Sequence, residues 1–128
     1  MNPVIPVSWG ELFDKVTILE IKSEQLKDET ARANIRRELE RLSAIADEAM
    51  RVQPEAAALK AALKRVNETL WRIEDEIRTC EAEKRFDAEF VRLARAIYHN
   101  NDERGRLKSQ INALLKSEIG EEKQYTKY

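Results

Sequence analysis

The chain has 128 residues, of which 42% are hydrophobic and 37% charged, and its 23 basic and 24 acidic side chains leave a net charge of −1. This length fits a single domain, and three glycines with three prolines provide too few turns for an all-β fold. Balanced charge is untypical of nucleic-acid-binding proteins, so we expect no nucleic-acid partner. The sequence contains no membrane-spanning apolar run and no signal peptide pattern, which together predict a cytoplasmic protein.

Side chains that bind transition metals are scarce. Cys80 is the only cysteine and His99 the only histidine, which excludes an internal disulfide and a cysteine-based zinc site. We therefore expect no resident metal or cofactor. Carboxylates that bind Mg²⁺ are the alternative that stays open. The acids considered for that role are Glu11, Asp14, Glu74, Asp75, Asp102 and Glu103.

An extended arm precedes the first helix. Pro3 and Pro6 disfavour helix over residues 1–7, because proline restricts its own backbone and that of the residue before it. Ser8 and Glu11 have the spacing of a capping box, in which each side chain accepts a hydrogen bond from the other's backbone N–H. The first helix is therefore predicted to begin at Ser8.

Four helices are predicted, separated by short polar or proline-containing breaks. Thr30, Pro54 and Asp87 are placed to begin the second, third and fourth helices, and Gly120 is placed to end the fourth. Residues 121–128 form a polar tail. The predicted helices cover residues 8–27, 31–51, 54–83 and 88–119. Short breaks favour antiparallel neighbours, so we expect one all-α domain over the whole chain.

The third helix carries an apolar seam of alternating four- and three-residue steps. The seam consists of Leu59, Leu63, Val66, Leu70, Ile73, Ile77 and Cys80. This period is typical of helices packed at shallow angles and predicts a long antiparallel hairpin of helices three and four, about 45 Å in length. Such a hairpin leaves apolar surface uncovered, so we expect a homodimer and, in addition, a docking surface for a protein partner.

The seam of the fourth helix is interrupted by polar residues where apolar ones are expected. In the hairpin this interruption faces a polar stripe on the third helix. The predicted patch consists of Asn67, Trp71, Glu74, Asp75, Arg78, Asn101, Asp102, Arg104 and Lys108. Three interpretations stay open: a buried polar layer that fixes helix register, a solvated end of the hairpin, and a ligand-binding or catalytic site.

Two functional hypotheses follow from these features. In the first, the protein is a non-enzymatic dimeric module that docks a partner. In the second, Arg78 and Arg104 clamp an anion such as the phosphate of a sugar phosphate or nucleotide. Trp71 then stacks on a ring, and Glu74 or Asp102 acts as a base or holds a metal. The sequence contains no recognisable catalytic constellation, so it leaves open whether the protein is an enzyme.

Several segments resemble a small bacterial family of all-helical proteins of unknown function. These segments are residues 5–15, 66–68, 70–78, 97–104 and 119–125. Some members of that family are encoded near genes for cell-surface polysaccharides, so the resemblance implies a link to glycan assembly. A glycosyltransferase is the partner that the first hypothesis names. The resemblance carries no assigned activity or catalytic residue, but it includes most of the polar patch.

Overall fold

A computed structural model describes residues 1–128, and all of its regular secondary structure is helical. The helices are α1 (Trp9–Gln25), α2 (Glu29–Val52), α3 (Ala56–Ala82) and α4 (Ala88–Leu114). The predicted all-α class and the number of helices are therefore confirmed. None of the four combines the length and the apolar character that crossing a membrane requires.

The starts of α2 and α3 differ from the predicted ones. Asp28 accepts a hydrogen bond from a first-turn backbone N–H at 2.9 Å, so Asp28 rather than Thr30 caps α2. Pro54 lies in a turn, and α3 begins after it, at Ala56. The caps predicted at Ser8 and Asp87 are confirmed, since each side chain accepts from a backbone N–H at 3.1 Å.

Local backbone geometry ends α4 earlier than predicted. Lys116 adopts a left-handed φ of 57°, and the N–H of Ser117 donates to the carbonyl of Asn112 at 2.8 Å. These are features of a Schellman motif, so Lys116 takes the position that was expected for Gly120. The last helix consequently stops at Leu114, and the non-helical tail is longer than the predicted one.

The four helices meet around α1, which packs against each of the others. Helices α3 and α4 pack closely along the predicted hairpin, and α2 packs mainly on α1. The main core lies where all four helices contribute. It consists of Leu12, Phe13, Val16, Ala46, Ala56, Leu63, Leu107 and Ile111. The apolar face of α1 is therefore the element that joins the α3–α4 hairpin to α2.

The outer part of the hairpin, beyond the reach of α1, has a small second core. Ile73, Cys80 and Leu93 are buried there, with Ile77 and Phe90 packed against them. Only α3 and α4 contribute to this core. The predicted seam of α3 thus serves both cores, with Leu63 in the main core and Ile73 and Cys80 in the outer one.

Candidate functional site

Asp14 on α1 is a carboxylate buried at the centre of the bundle, with 2% of its surface exposed. Arg104 on α4 donates to both of its oxygens, from Nε to Oδ1 at 2.8 Å and from Nη2 to Oδ2. The Nδ2 of Asn67 on α3 donates to Asp14 Oδ1 and to Thr17 Oγ1, at 2.9 Å each. A buried charge is costly unless it is paired and hydrogen-bonded, and this network satisfies it from two other helices.

The pairing with Asp14 changes what Arg104 can offer a ligand. The hydrogen bond to Asp14 raises the pKa of Arg104, although partial burial acts in the opposite direction. Its Nε–Nη2 edge is committed to the carboxylate in the bidentate geometry that arginine favours. Of the five N–H groups, two on Nη1 and one on Nη2 remain. An anion bound by Arg104 would therefore meet the N–H groups that Asp14 does not occupy.

A cleft of about 450 Å³ lies beside this network, between α1 and the α3–α4 hairpin. Its lining residues are Ile18, Ile21, Asn67, Leu70, Trp71, Glu74, Asp75, Arg78, Asn101 and Arg104. Seven of the nine predicted patch residues thus share one concave surface. The volume falls within the range of small-molecule sites, about 300–1,000 Å³.

Two predicted patch residues lie outside the cleft. Lys108 is 8% exposed, and its Nζ donates to Glu11 at 2.9 Å and to Glu121 at 3.0 Å. Burial alone would lower the pKa of Lys108, but the hydrogen bonds to these two carboxylates outweigh it and the pKa is raised. Asp102 accepts a hydrogen bond from the hydroxyl of Tyr128. The capping box predicted from Ser8 and Glu11 forms only in part. Ser8 accepts from the N–H of Glu11, while the carboxylate of Glu11 pairs with Lys108.

The rim of the cleft carries charges that are free to rearrange. Arg78 and Glu74 are 3.7 Å apart, and their side chains are 80% and 46% exposed. Exposed pairs of this kind hold their geometry weakly. Asp75 is also exposed, and Trp71 is half-buried. The cleft therefore combines a fixed polar floor with an aromatic side chain and movable charges.

The acids considered for Mg²⁺ do not gather into a metal site. No group of three or more His, Cys, Asp or Glu side chains converges anywhere in the structure. Asp14 is held by Arg104, and Glu11 is held by Lys108. Two of the six acids considered, both on α1, are thus already paired with cationic side chains.

Sequence reasoning missed the contribution of α1 to this region. Asp14, Ile18 and Ile21 lie at four- and three-residue steps, which places them on one face of α1. That face supplies the buried carboxylate and an apolar wall of the cleft. The available signal was Asp14, which lies on the same helix face as Ile18 and Ile21. A charge on an apolar face is costly unless an opposite charge pairs with it.

Gly10 allows α1 to lie unusually close to α4. A Cβ at Gly10 would stand 2.5 Å from the carbonyl oxygen of Lys108 and 2.8 Å from Asn112 Oδ1. The N–H of Gly10 donates to the same Oδ1 at 2.6 Å. Gly105 on α4 has a different neighbour, the side chain of Lys123 in the tail.

Comparison with known proteins identifies the family of this chain. Residues 4–128 match the family described as "Family of unknown function (DUF6165)". The chain therefore belongs to that family, in agreement with the resemblance seen in its sequence segments. Neither a curated protein nor a solved structure matches the chain.

Proposed function

We propose that this protein binds a small polar ligand in the cleft between α1 and the α3–α4 hairpin. The observation that supports this most strongly is the convergence of Trp71, Glu74, Asp75 and Asn101 beside the paired Asp14–Arg104 floor. Ligand sites are typically concave and largely apolar, with a few polar groups that fix orientation.

A register device alone would not require this surface. The hydrogen bonds that tie α1 to α3 and α4 run through Asn67, Asp14 and Arg104. Trp71 and Asp75 contribute nothing to those hydrogen bonds, yet they face the same space. The cleft therefore shares Asn67 and Arg104 with the hydrogen-bonded layer and adds Trp71 and Asp75, which a bound ligand would account for.

The chemistry of the lining favours a phosphorylated sugar or a nucleotide sugar. Trp71 offers a face on which a sugar or base can stack. The carboxylates of Glu74 and Asp75 accept hydrogen bonds from hydroxyl groups, and Asn101 can both donate and accept. Arg104 Nη1 supplies a charged donor for an anion. The proposal also includes a cytoplasmic location, as expected from the sequence, and a role in glycan assembly, as implied by the family resemblance.

Binding is tested by calorimetric titration and thermal shift with UDP-glucose, glucose 1-phosphate and glucose. A ligand that binds the folded state raises Tm by mass action. We expect Trp71→Ala and Glu74→Gln to weaken binding at least about tenfold, the equivalent of roughly 1.4 kcal/mol. Glu76→Gln is the matched control, because it removes the same charge from an exposed position of α3 outside the cleft. The proposal fails if none of the three compounds binds, or if Glu76→Gln weakens binding as much as Glu74→Gln.

A homodimer is the second candidate, and an apolar groove favours it. The groove has a volume of about 730 Å³ and lies where the start of α1 meets the ends of α2 and α4. Ile45 and Val52 on its α2 side are 49% and 67% exposed. Contiguous exposed apolar surface of this kind marks interaction sites, and a second copy of the chain is the partner that the expected dimer requires.

Light scattering at a range of protein concentrations tests the dimer. We expect Ile45→Asp to shift the protein toward monomer, because a charge in a buried apolar interface is unfavourable. Val91→Asp is the control, since Val91 is 53% exposed but lies on α4 away from the groove. A wild-type protein that stays monomeric at high concentration rules this candidate out.

A further inference from the structure

The tail beyond α4 lies back along that helix as a strap, here defined as residues 116–128. At its far end the hydroxyl of Tyr128 donates to Asp102, and the Tyr128 ring lies edge-on to Tyr98 at 5.1 Å between centroids. The strap has no regular secondary structure, and Ile119 within it is 46% exposed. A segment with so little buried apolar surface opens at a low free-energy cost.

Beneath the strap is a pocket of about 250 Å³ without a hydrophobic lining residue. Its walls are Glu11, Asn101, Arg104, Lys108, Glu121 and Lys123. One oxygen of Glu121 is 3.0 Å from Lys108 Nζ, and the other is 3.6 Å from Lys123 Nζ. A single carboxylate thus bridges two ammonium groups that come from α4 and from the strap.

We propose that Lys108 and Lys123 form a phosphate-binding site, which the carboxylate of Glu121 fills until a ligand phosphate displaces it. Glu121 is the replaceable anion, because it belongs to the strap, which has no regular secondary structure and little buried apolar surface. Glu11 is fixed on α1 and stays paired with Lys108. A phosphate group carries more charge than a carboxylate and has three acceptor oxygens, so it can contact both ammonium groups at once.

The charges around this site leave room for an added anion once Glu121 rotates out. Arg104, Lys108 and Lys123 then face Glu11 and Asp14, and these five groups together carry an excess of one positive charge. The hydrogen bond from Lys108 already lowers the pKa of Glu121, so the site favours a charged occupant over a neutral one.

The pocket also adjoins the proposed ligand cleft. Asn101 and Arg104 line both cavities. A phosphate held by Lys108 and Lys123 therefore lies on one side of these residues, with Trp71 on the other side. The assignment of this site to the phosphate of a sugar ligand rests on the proposed function, whereas the anion site itself does not.

Calorimetric titration with inorganic phosphate tests the anion site directly. We expect Glu121→Gln to bind phosphate about tenfold more tightly than the wild type, because the competing carboxylate is gone. Glu122→Gln is the matched control: it makes the same charge change at the neighbouring exposed position, which lines no part of this pocket. Lys123→Gln should weaken binding to a similar degree. Equal affinities for Glu121→Gln and Glu122→Gln, or an unchanged affinity for Lys123→Gln, overturn the inference.

Glucose 1-phosphate separates this inference from the proposed function. Phosphate binding that depends on Glu121 and Lys123 but not on Trp71 supports the anion site, even if no sugar compound binds better than phosphate itself. The opposite result is sugar phosphate binding that is lost in Trp71→Ala but unaffected by Glu121→Gln and Lys123→Gln. It overturns the anion site, while the proposal that the cleft binds a ligand still stands. Circular dichroism melting of each variant confirms that the compared proteins are folded.

Discussion

Asp14 is the residue at which α1, α3 and α4 are tied together, through Asn67 and Arg104. Asp14→Asn keeps the shape of the side chain but leaves the guanidinium of Arg104 without its counter-ion. Removing one partner of a buried ion pair typically costs about 3–5 kcal/mol. Because the Arg104 side chain is 30% exposed, we expect a smaller loss of unfolding free energy, about 2–3 kcal/mol. Urea denaturation followed by circular dichroism measures it.

Glu103→Gln provides the control for this prediction. It breaks another arginine–carboxylate pair of α4, but both side chains, Glu103 and Arg106, are exposed. Exposed pairs contribute little, so the stability should hardly change. Adding Arg104→Gln to Asp14→Asn should recover part of the loss, since no uncompensated charge remains. Equal effects of Asp14→Asn and Glu103→Gln would show that burial adds nothing to the central pair.

The two helical glycines should respond to alanine in opposite directions. At Gly10 the new Cβ would meet the backbone carbonyl of Lys108 at 2.5 Å, and backbone cannot yield without moving α1 from α4. We expect Gly10→Ala to destabilise the protein by about 1–3 kcal/mol, the usual cost of overpacking. At Gly105 the nearest atom is the flexible end of Lys123 at 3.3 Å, so alanine should stabilise α4 by up to about 1 kcal/mol. Thermal melts of both variants test this, and the same sign for both contradicts it.

The helices themselves follow from the sequence, whereas some of their ends do not. Apolar residues at three- and four-residue steps predict each helix, because that spacing builds one face. Ends depend on which of several nearby side chains makes the capping bond. Asp28 and Thr30 are both acceptable caps, and only the folded backbone selects Asp28. Lys116 is a poor sequence signal for a left-handed residue, yet it ends α4.

The interrupted seam of α4 was only partly interpretable from the sequence. Its inward orientation is visible from spacing, and Arg104 and Lys108 are indeed largely buried. Their partners are not visible, because hairpin geometry relates α4 to α3 and says nothing about α1. Both cations pair with α1 acids, Asp14 and Glu11, across at least 90 residues of chain. The residue spacing along α3 and α4 does not show where α1 packs against them.

The contact of the strap with α4 should be visible in the titration of Tyr128. The hydrogen bond to Asp102 raises the pKa of Tyr128 to about 12, from an ordinary value of 10.0. A raised folded-state pKa means that the contact is fully present below pH 10 and is lost as the pH rises through 12. Ultraviolet absorbance of tyrosinate should therefore show one of the three tyrosines titrating late, and Asp102→Asn should remove that late step. A late step that persists in Asp102→Asn refutes the assignment.

At the scale of the whole molecule, the two cores differ in how many helices build them. The main core draws on all four helices, and the outer core draws on α3 and α4 alone. Two helices cover each other on one side only, which is why Phe86 and Val91 stay 57% and 53% exposed. The cleft is bounded by Leu70, next to the outer core residue Ile73, and by Ile18 and Ile21 of α1. Its shape therefore depends on how the hairpin is held against α1.

Hydrogen exchange should reveal this division as two levels of protection. Local opening costs least where few apolar contacts are buried, so amides of residues 76–95 should exchange faster than those of residues 60–70. Asp14→Asn should leave exchange in the outer hairpin unchanged while lowering protection around Arg104, because the ion pair belongs to the main core side. Mass spectrometry of exchanged peptides from both proteins measures the two regions separately. Uniform protection along α3 in the wild-type protein would show that both cores open as one unit.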